Sequence, residues 1–331
     1  MTQPVLVADI GATHARFALA VDGDDLVQRR RYPSAGLASG QAALEQYLAD
    51  VGVPVAGAAL AVAGPVVDRV GTLTNQPLEF SAKELEIHLR LGRVEVINDF
   101  VAVSAAVPFL ERDGVRSLGD GAPGHAMKAV LGPGTGLGMG MLLPISGDWC
   151  VLPSEGGHGD LAATNALESE LLEIIRATRA HVSWEAVLSG PGLVNLYRAM
   201  CTVWGSTPEH DEPSTISALG VSADDPVCHQ TLETFCHLLG TAAGNLAVTV
   251  CADGGVYIAG GIVRQIVDFV DQSHFRRRFE ERGRLSPYVE RIATCAIIDP
   301  DVGLKGAARI FTSRRLAGGF QVPDDRVRLP E

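Results

Sequence analysis

The chain has 331 residues, 47% apolar and 20% charged, with a net charge of −12 and 37 glycines. That length fits two domains with cores of their own, and the acidic balance, with no basic run longer than Arg29–Arg31 or Arg276–Arg278, argues against nucleic acid or an anionic membrane as partner. Six scattered cysteines with no CxxC pair and no signal peptide argue against a disulfide or cysteine–metal framework, so the expected location is the cytoplasm.

Strands are expected at residues 3–9, 15–21 and 25–32, followed by a helix over 37–51, a buried strand at 56–64 and another at 66–73. A helix at 81–91 precedes strand 93–97, which runs into Asn98 and Asp99 and then a helix closed near Pro108. The Gly- and Asp-rich stretch 113–124 marks a boundary. Beyond it, "KAVLGPGTGLGMGMLL" (128–143) repeats the strand, Gly/Thr turn, strand form of "ADIGATHARFALA" (8–20). Helices dominate 164–249, and "GVYIAGGIV" (255–263) is a strand entering a glycine turn and a helix. Strand 291–299 and helix 302–311 come last. The apolar stretches 51–67 and 242–263 contain Pro54 and Pro65, or Asp253 and paired glycines, and read as strands and helices rather than membrane spans. Two halves that open alike imply a duplicated α/β architecture with a cleft between two lobes.

Three glycine turns, Gly11 to Thr13, Gly132 to Gly138 and Gly260–Gly261, can direct backbone amides at phosphate oxygens, with threonine hydroxyls as further donors. Each also reads as an ordinary hairpin or strand–helix turn. There is no GxxxxGK[ST], the only lysines are Lys83, Lys128 and Lys305, and "GPGTGLG" misses the dinucleotide GxGxxG spacing. Asp99 follows a strand and opens a helix, the place where α/β proteins bind ligands; the structural alternative is a helix cap. "PSEGGHGD" (153–160) can converge Glu155 and His158 on one point, or be an exposed polar loop. Glu185 falls in an expected short helix ahead of a Gly190–Pro191–Gly192 break, where a lone glutamate is commonly surface decoration.

Taken in order, "INDF", "GPGTGLG", "SEGGH", "VLSGPGLVNLYRA" and "YIAGGIV" resemble the bacterial glucokinases, the hexokinase-type branch of the actin-like ATPase superfamily, from about Val5 to Ala308. The resemblance implies an α/β, two-lobed actin-like ATPase (ribonuclease H-like) fold with duplicated, β-hairpin-opened halves and a central cleft. It implies a small lobe over 1–109 completed by a C-terminal helix at about 302–315, a large lobe over 110–301, and a tail at 316–331. It also implies ATP-dependent phosphorylation of glucose at the 6-hydroxyl, the first step of glycolysis, in a homodimer. Asp99 would be the general base, and Asn98, Glu155, His158 and Glu185 would hydrogen-bond the remaining sugar hydroxyls. Asp9 would hold Mg²⁺ through water. Gly11, Thr13, Gly134 and Thr135 would hold phosphates, and Gly260 and Gly261 would lie against the adenosine.

Phosphoryl transfer asks mainly for positioning and charge stabilisation, and two amide-lined hairpins with Mg²⁺ can supply both without a P-loop lysine. Carboxylates, Asn and His suit sugar hydroxyls, which donate and accept. The departure from the commoner Asp-x-Gly-Gly-Thr-Asn pattern is Ala12 and His14. A positive φ at position 12 would cost alanine about 1 kcal/mol. Arg16 reads as structural. The alternatives are a kinase for mannose, fructose or an amino sugar, with ADP or polyphosphate as other donors, and a non-catalytic sugar-sensing protein. A regulator would carry an N-terminal helix-turn-helix, whereas here the first strand begins by residue 5.

Overall fold

The structure is a computed structural model that describes residues 3–34, 37, 39–73, 78–313 and 316. The expected tail beyond 316, and residues 314–315 of the expected last helix, lie outside the described residues. Contacts divide the chain into two compact units. The first comprises the chain through Phe109, Leu142–Leu152 and the stretch from Pro300; the second comprises Leu110–Met141 and Pro153–Asp299.

In the first unit, β1 (Val5–Ile10), β2 (His14–Val21) and β3 (Asp25–Pro33) form the expected meander. After α1 (Gly40–Val51) comes β4 (Gly57–Val62), whose six residues are all buried, and which pairs in parallel with β1. Asp68 and Arg69 both take positive φ (50° and 64°), so the segment read as one strand at 66–73 is a small hairpin, β5 (Val66–Val67) and β6 (Val70–Thr72). β7 (Glu79–Ser81), α2 (Ala82–His88), β8 (Val94–Asn98) and α3 (Asp99–Ala106) follow. The main sheet runs β3-β2-β1-β4-β8.

The period of two along β1 explains why this sheet is covered on both faces. Leu6, Ala8 and Ile10 join Phe17, Tyr47, Leu60 and Phe80 in one core. Val7 and Ala59, on the other face, meet Leu304, Ala307 and Ala308 of the C-terminal helix Val302–Thr312. That helix also lies against α3 so closely that a Cβ at Gly306 would sit 1.7 Å from the Ala102 carbonyl oxygen. Only glycine permits the approach.

The second sheet contains β9 (Val115–Ser117), β10 (Lys128–Pro133), β11 (Leu137–Ile145) and β12 (Asp148–Ser154). Four helices come next: α4 (Ala166–Arg176), α5 (Gly190–Trp204), α6 (Pro213–Ser222) and α7 (Pro226–Val250). Then come β13 (Val256–Ile258), the short helices α8 (Gly261–Gln265), α9 (Val267–Gln272), α10 (Phe275–Glu280) and α11 (Ser286–Val289), and β14 (Thr294–Ile297). The sheet order is β12-β11-β10-β13-β14-β9. Its first five strands, numbered from β10, repeat the 3-2-1-4-5 order of the first sheet, so the repeated hairpin belongs to a repeated topology. β9 adds an antiparallel edge to β14 in the stretch read as a loop. Among the described residues, no helix is long and apolar enough to cross a membrane.

Candidate active site

In the first unit, the turn between β1 and β2 is closed by the Gly11 amide, which donates to the His14 carbonyl at 3.0 Å. From the end of β3, the buried Ser34 holds the same turn: its hydroxyl donates to the Gly11 carbonyl at 2.7 Å, and its amide donates to the Thr13 carbonyl at 3.0 Å. Gly11 has no positive φ, and a Cβ there would meet nothing nearer than 3.5 Å. Ala12 has no positive φ either, so alanine fits that position without backbone strain. Asp9, near the end of β1, is mostly buried, and its Oδ2 accepts from an Arg16 Nη2 that reaches across the β1–β2 pair. The other arm of Arg16 donates to the Pro300 carbonyl. Arg16 thus joins Asp9 to the Pro300 carbonyl.

Asn98 ends β8 and caps α3, its Oδ1 accepting from the amides of Phe100 (2.9 Å) and Val101 (3.3 Å). The capping alternative weighed for Asp99 therefore belongs chiefly to its neighbour. Asp99 is the first residue of the helix, at the carboxyl end of a strand parallel to β4, and its Oδ1 shares the Phe100 amide at 2.9 Å. The Asn98 Nδ2 donates to the Gly64 carbonyl at 3.1 Å, which leaves its second N–H as the donor it can offer a ligand.

In the second unit, Glu155, His158 and Glu185 come together. His158 Nδ1 is 3.9 Å from Glu185 Oε1, and its Nε2 is 4.0 Å from Glu155 Oε2. The glycines between Glu155 and His158 fold this 3₁₀ turn onto β11. A Cβ at Gly157 would be 2.1 Å from the Leu137 carbonyl oxygen, and one at Gly156 would be 2.9 Å from the Met139 sulfur. Glu185 Oε2 accepts the Leu137 amide at 2.8 Å, and Gly136 keeps room for it, since a Cβ there would be 2.4 Å away. Thr135 and Glu185 line a polar pocket of about 130 Å³ with Arg179, His181, Ser189 and Asn195.

Two expectations around Glu185 are corrected. It sits in a turn rather than a short helix, because the amides of Trp184 and Glu185 donate to Gly159 (3.0 Å) and Gly157 (2.9 Å) in place of helical partners. Gly190–Pro191–Gly192 is no break but the first turn of α5, where proline lacks only an N–H the helix would leave unpaired. Ser189 caps that helix at Gly192 (2.9 Å) and donates to the Glu185 carbonyl (2.8 Å).

The Gly134 amide donates to Gly136 within its hairpin at 2.8 Å, and the Gly190 amide donates to the Gly134 carbonyl at 2.8 Å. Gly134 has no positive φ, and a Cβ there would meet nothing nearer than 4.0 Å. Gly260 differs. Its φ is +98°, and a Cβ would lie 2.2 Å from the Pro133 carbonyl oxygen, so it locks the glycine turn after β13 onto the end of β10. Gly261 opens α8 with nothing within 4 Å of the Cβ position.

The family profile for Glucokinase matches residues 6–314. The chain belongs to the glucokinase family. It is 42% identical over 322 residues to a glucokinase of Paramagnetospirillum magneticum, covering 96% of this chain and all of that one. It is 40% identical over 309 residues to a glucokinase of Cronobacter sakazakii, covering 93% and 96%. A crystal structure of glucokinase from an Antarctic psychrotroph superposes with a TM-score of 0.84 at 38% identity, over 95% of this chain and 100% of the other. A glucokinase from Balamuthia mandrillaris, solved with glucose, shares the fold at TM-score 0.78 and 22% identity, covering 94% of each chain. As a member of the glucokinase family, the protein is a phosphotransferase that phosphorylates glucose, and its fold is the α/β fold of the actin-like ATPases.

The candidate site residues have supports that the motifs in the sequence do not reveal. Ser34 holds the turn at Gly11 and Thr13 through two hydrogen bonds, Gly64 and Ser189 hold Asn98 and Glu185 through one each, and Gly136 leaves space for Glu185. Ser34, Gly64 and Gly136 carry no local signal, because each acts on a residue far along the chain. Ser189, as an N-cap before Gly-Pro, was the one open to recognition.

Proposed function

We propose that ATP is the donor and that Asp99 is the general base for transfer to the glucose 6-hydroxyl. As the sugar oxygen forms its bond to the γ-phosphorus, the bond from that phosphorus to the β,γ-bridging oxygen breaks. ADP leaves with the electron pair, and the hydroxyl proton passes to the Asp99 carboxylate. The position of Asp99 carries this reading: it opens α3 at the carboxyl end of a parallel strand while Asn98 supplies most of the cap. Asn98 would donate its remaining N–H to a sugar hydroxyl. Glu155 and Glu185, which stand 4.0 and 3.9 Å from the two ring nitrogens of His158, would take the others together with it as acceptors and donors.

The phosphates would be held by Thr13 and Thr135 and by the bare backbone at Gly11 and Gly134. Neither glycine is required by φ or by packing, which supports a close approach from outside the chain. The same holds for Gly261 as a neighbour of the adenosine, with Gly260 shaping the turn. Asp9 fits a Mg²⁺ ion held through water: Arg16 takes its Oδ2, so the carboxylate retains one oxygen for a hydrated ion, the way Mg²⁺ is usually bound. With ATP bound, Mg²⁺ would neutralise charge on the phosphate oxygens. The setting is a cytoplasmic homodimer, as the resemblance implies.

The deciding experiment is a coupled assay of glucose 6-phosphate formation with Mg-ATP, run beside Asp99→Asn. Loss of the base should lower kcat at least about a hundredfold with glucose binding retained. A variant that turns over within a few-fold of the parent would remove Asp99 from the role.

A further inference from the structure

On α7 and at the start of α10, the second unit gathers two histidines and a carboxylate. Glu233 and His237 stand four residues apart on α7 and so share one face. His274 lies in the turn that opens α10. Glu233 Oε2 is 3.5 Å from His237 Nε2 and 3.8 Å from His274 Nδ1, and one ligand atom from each residue falls within 4.8 Å of the others. The two imidazole rings are 5.3 Å apart at 76°. His237 Nε2 is buried and has no hydrogen-bond partner. Buried ring nitrogens are ordinarily paired, so an orphan facing a carboxylate and a second imidazole calls for an explanation.

We propose that Glu233, His237 and His274 bind a divalent transition-metal ion of the zinc class, with water as the fourth ligand, tying α7 to the start of α10. Zinc bonds of about 2.0–2.2 Å in a tetrahedron separate the ligand atoms by about 3.3–3.6 Å. Two of the spacings here, 3.5 and 3.8 Å, lie at or near that range, and side-chain rotation would bring the third, within 4.8 Å, into it. Two imidazoles and a carboxylate select zinc, cobalt, nickel or copper over magnesium, which prefers oxygen ligands throughout. His274 is the solvent-exposed member and gives the ion a way in, while His237 is half-buried with its Nε2 inside. Arg278 on α10 is the nearby cation, and its charge is met by Glu168 at 3.0 Å and by the Thr241 hydroxyl at 2.9 Å. α10 already packs tightly here, since a Cβ at Gly240 would sit 2.3 Å from the Phe275 carbonyl oxygen. The ion would therefore join helices that hold their places without it.

A second cluster, His210, Asp225 and Cys228, is the competing location. Asp225 is engaged as the N-cap of α7, accepting from the amides of Val227 (2.7 Å) and Cys228 (2.9 Å).

The test uses the untagged full-length protein stripped of metal, titrated with Co²⁺ and followed by visible absorption, with Zn²⁺ as competitor and Tm as a second readout. One equivalent of Co²⁺ should give tetrahedral d–d bands without a thiolate charge-transfer band. Zn²⁺ should displace it and raise Tm, and excess Mg²⁺ should do neither. Altering even an outer-shell partner of a metal site weakens binding about 10–100-fold, so His274→Ala and Glu233→Gln should each weaken it at least about tenfold. The exposed His274→Ala should keep the metal-free Tm of the parent, which separates ligand loss from misfolding. Unchanged binding in both variants would overturn the proposal, as would failure of the parent to bind. A thiolate-to-cobalt band would overturn it as well, by moving the ion to Cys228.

Discussion

The carboxylate of Glu185 accepts the amide of Leu137 at 2.8 Å, joining a turn after the 3₁₀ segment to the first residue of β11. One oxygen thus fixes the Gly/Thr hairpin, and the other faces His158 at 3.9 Å. A single side chain is shared between the part proposed to hold phosphate and the part proposed to hold sugar. Ser189 holds the Glu185 backbone carbonyl from behind, and the absence of a side chain at Gly136 gives the carboxylate room.

Glu185→Gln keeps an oxygen for Leu137 and removes the charge. Hydrogen bonds to charged groups contribute about 1.5–3 kcal/mol, so KM for glucose should rise about 10–100-fold while KM for ATP changes little. Glu185→Ala removes the hairpin contact as well, and should raise both constants. Steady-state kinetics over both substrates checks this. If KM for ATP stays at the parent value in the alanine variant, the Glu185–Leu137 bond has no part in nucleotide binding.

Ala12 occupies a position where the commoner pattern has glycine, yet its φ is not positive. Glycine there would gain nothing in the folded state and would loosen the unfolded chain. Ala12→Gly should therefore leave KM for ATP within about twofold and lower stability by about 0.5–1 kcal/mol. Urea unfolding and ATP kinetics read the two effects. A several-fold gain in ATP affinity would mean that the alanine does impair the clamp.

Glu86 reports on acid stability in the first unit. Burial pushes its pKa up, but the Val94 amide at 3.0 Å and the Arg69 guanidinium outweigh burial and hold it below the ordinary 4.5. A depressed folded pKa means that the unfolded chain binds the proton first. This contribution is therefore complete above pH 4.5 and disappears as pH falls through the folded pKa. Glu86→Gln should be less stable than the parent at pH 7, and the gap should narrow at pH 4 and below. A gap that stays constant across that range would show that the charge of Glu86 adds nothing.

Much of the fold was legible because its central strands carry unbroken apolar runs, as in β4, and because its hairpins announce themselves by Gly and Thr. β12 was missed because its buried run Trp149–Val151 lacks alternation and Pro153 ends the pattern, and β9 because three residues give no period. "SWEAVL" reads as helix from propensity alone, but Trp184 and Glu185 give their amides to Gly159 and Gly157, some 25 residues back. Long-range pairing overrode the local preference. The side chains proposed for the site were visible as polar residues beside glycines, whereas the groups that orient them were not. Nothing near Ser34 in the chain indicates that it holds the turn at Gly11.

The glycines divide by what the chain itself requires. Gly260 sits at φ +98° with Pro133 against its Cβ position, so Gly260→Ala combines backbone strain with a clash and should destabilise the protein by about 1–3 kcal/mol. Gly134 has neither constraint, and Gly134→Ala should fold with the Tm of the parent. If a phosphate approaches the backbone there, the added methyl group stands in its way, and kcat/KM for ATP should fall at least about tenfold while glucose binding is kept. Thermal unfolding and ATP kinetics on the two variants separate the readings. Loss of stability in Gly134→Ala would make the glycine structural after all, and full ATP affinity in a stable Gly134→Ala would place the phosphates elsewhere.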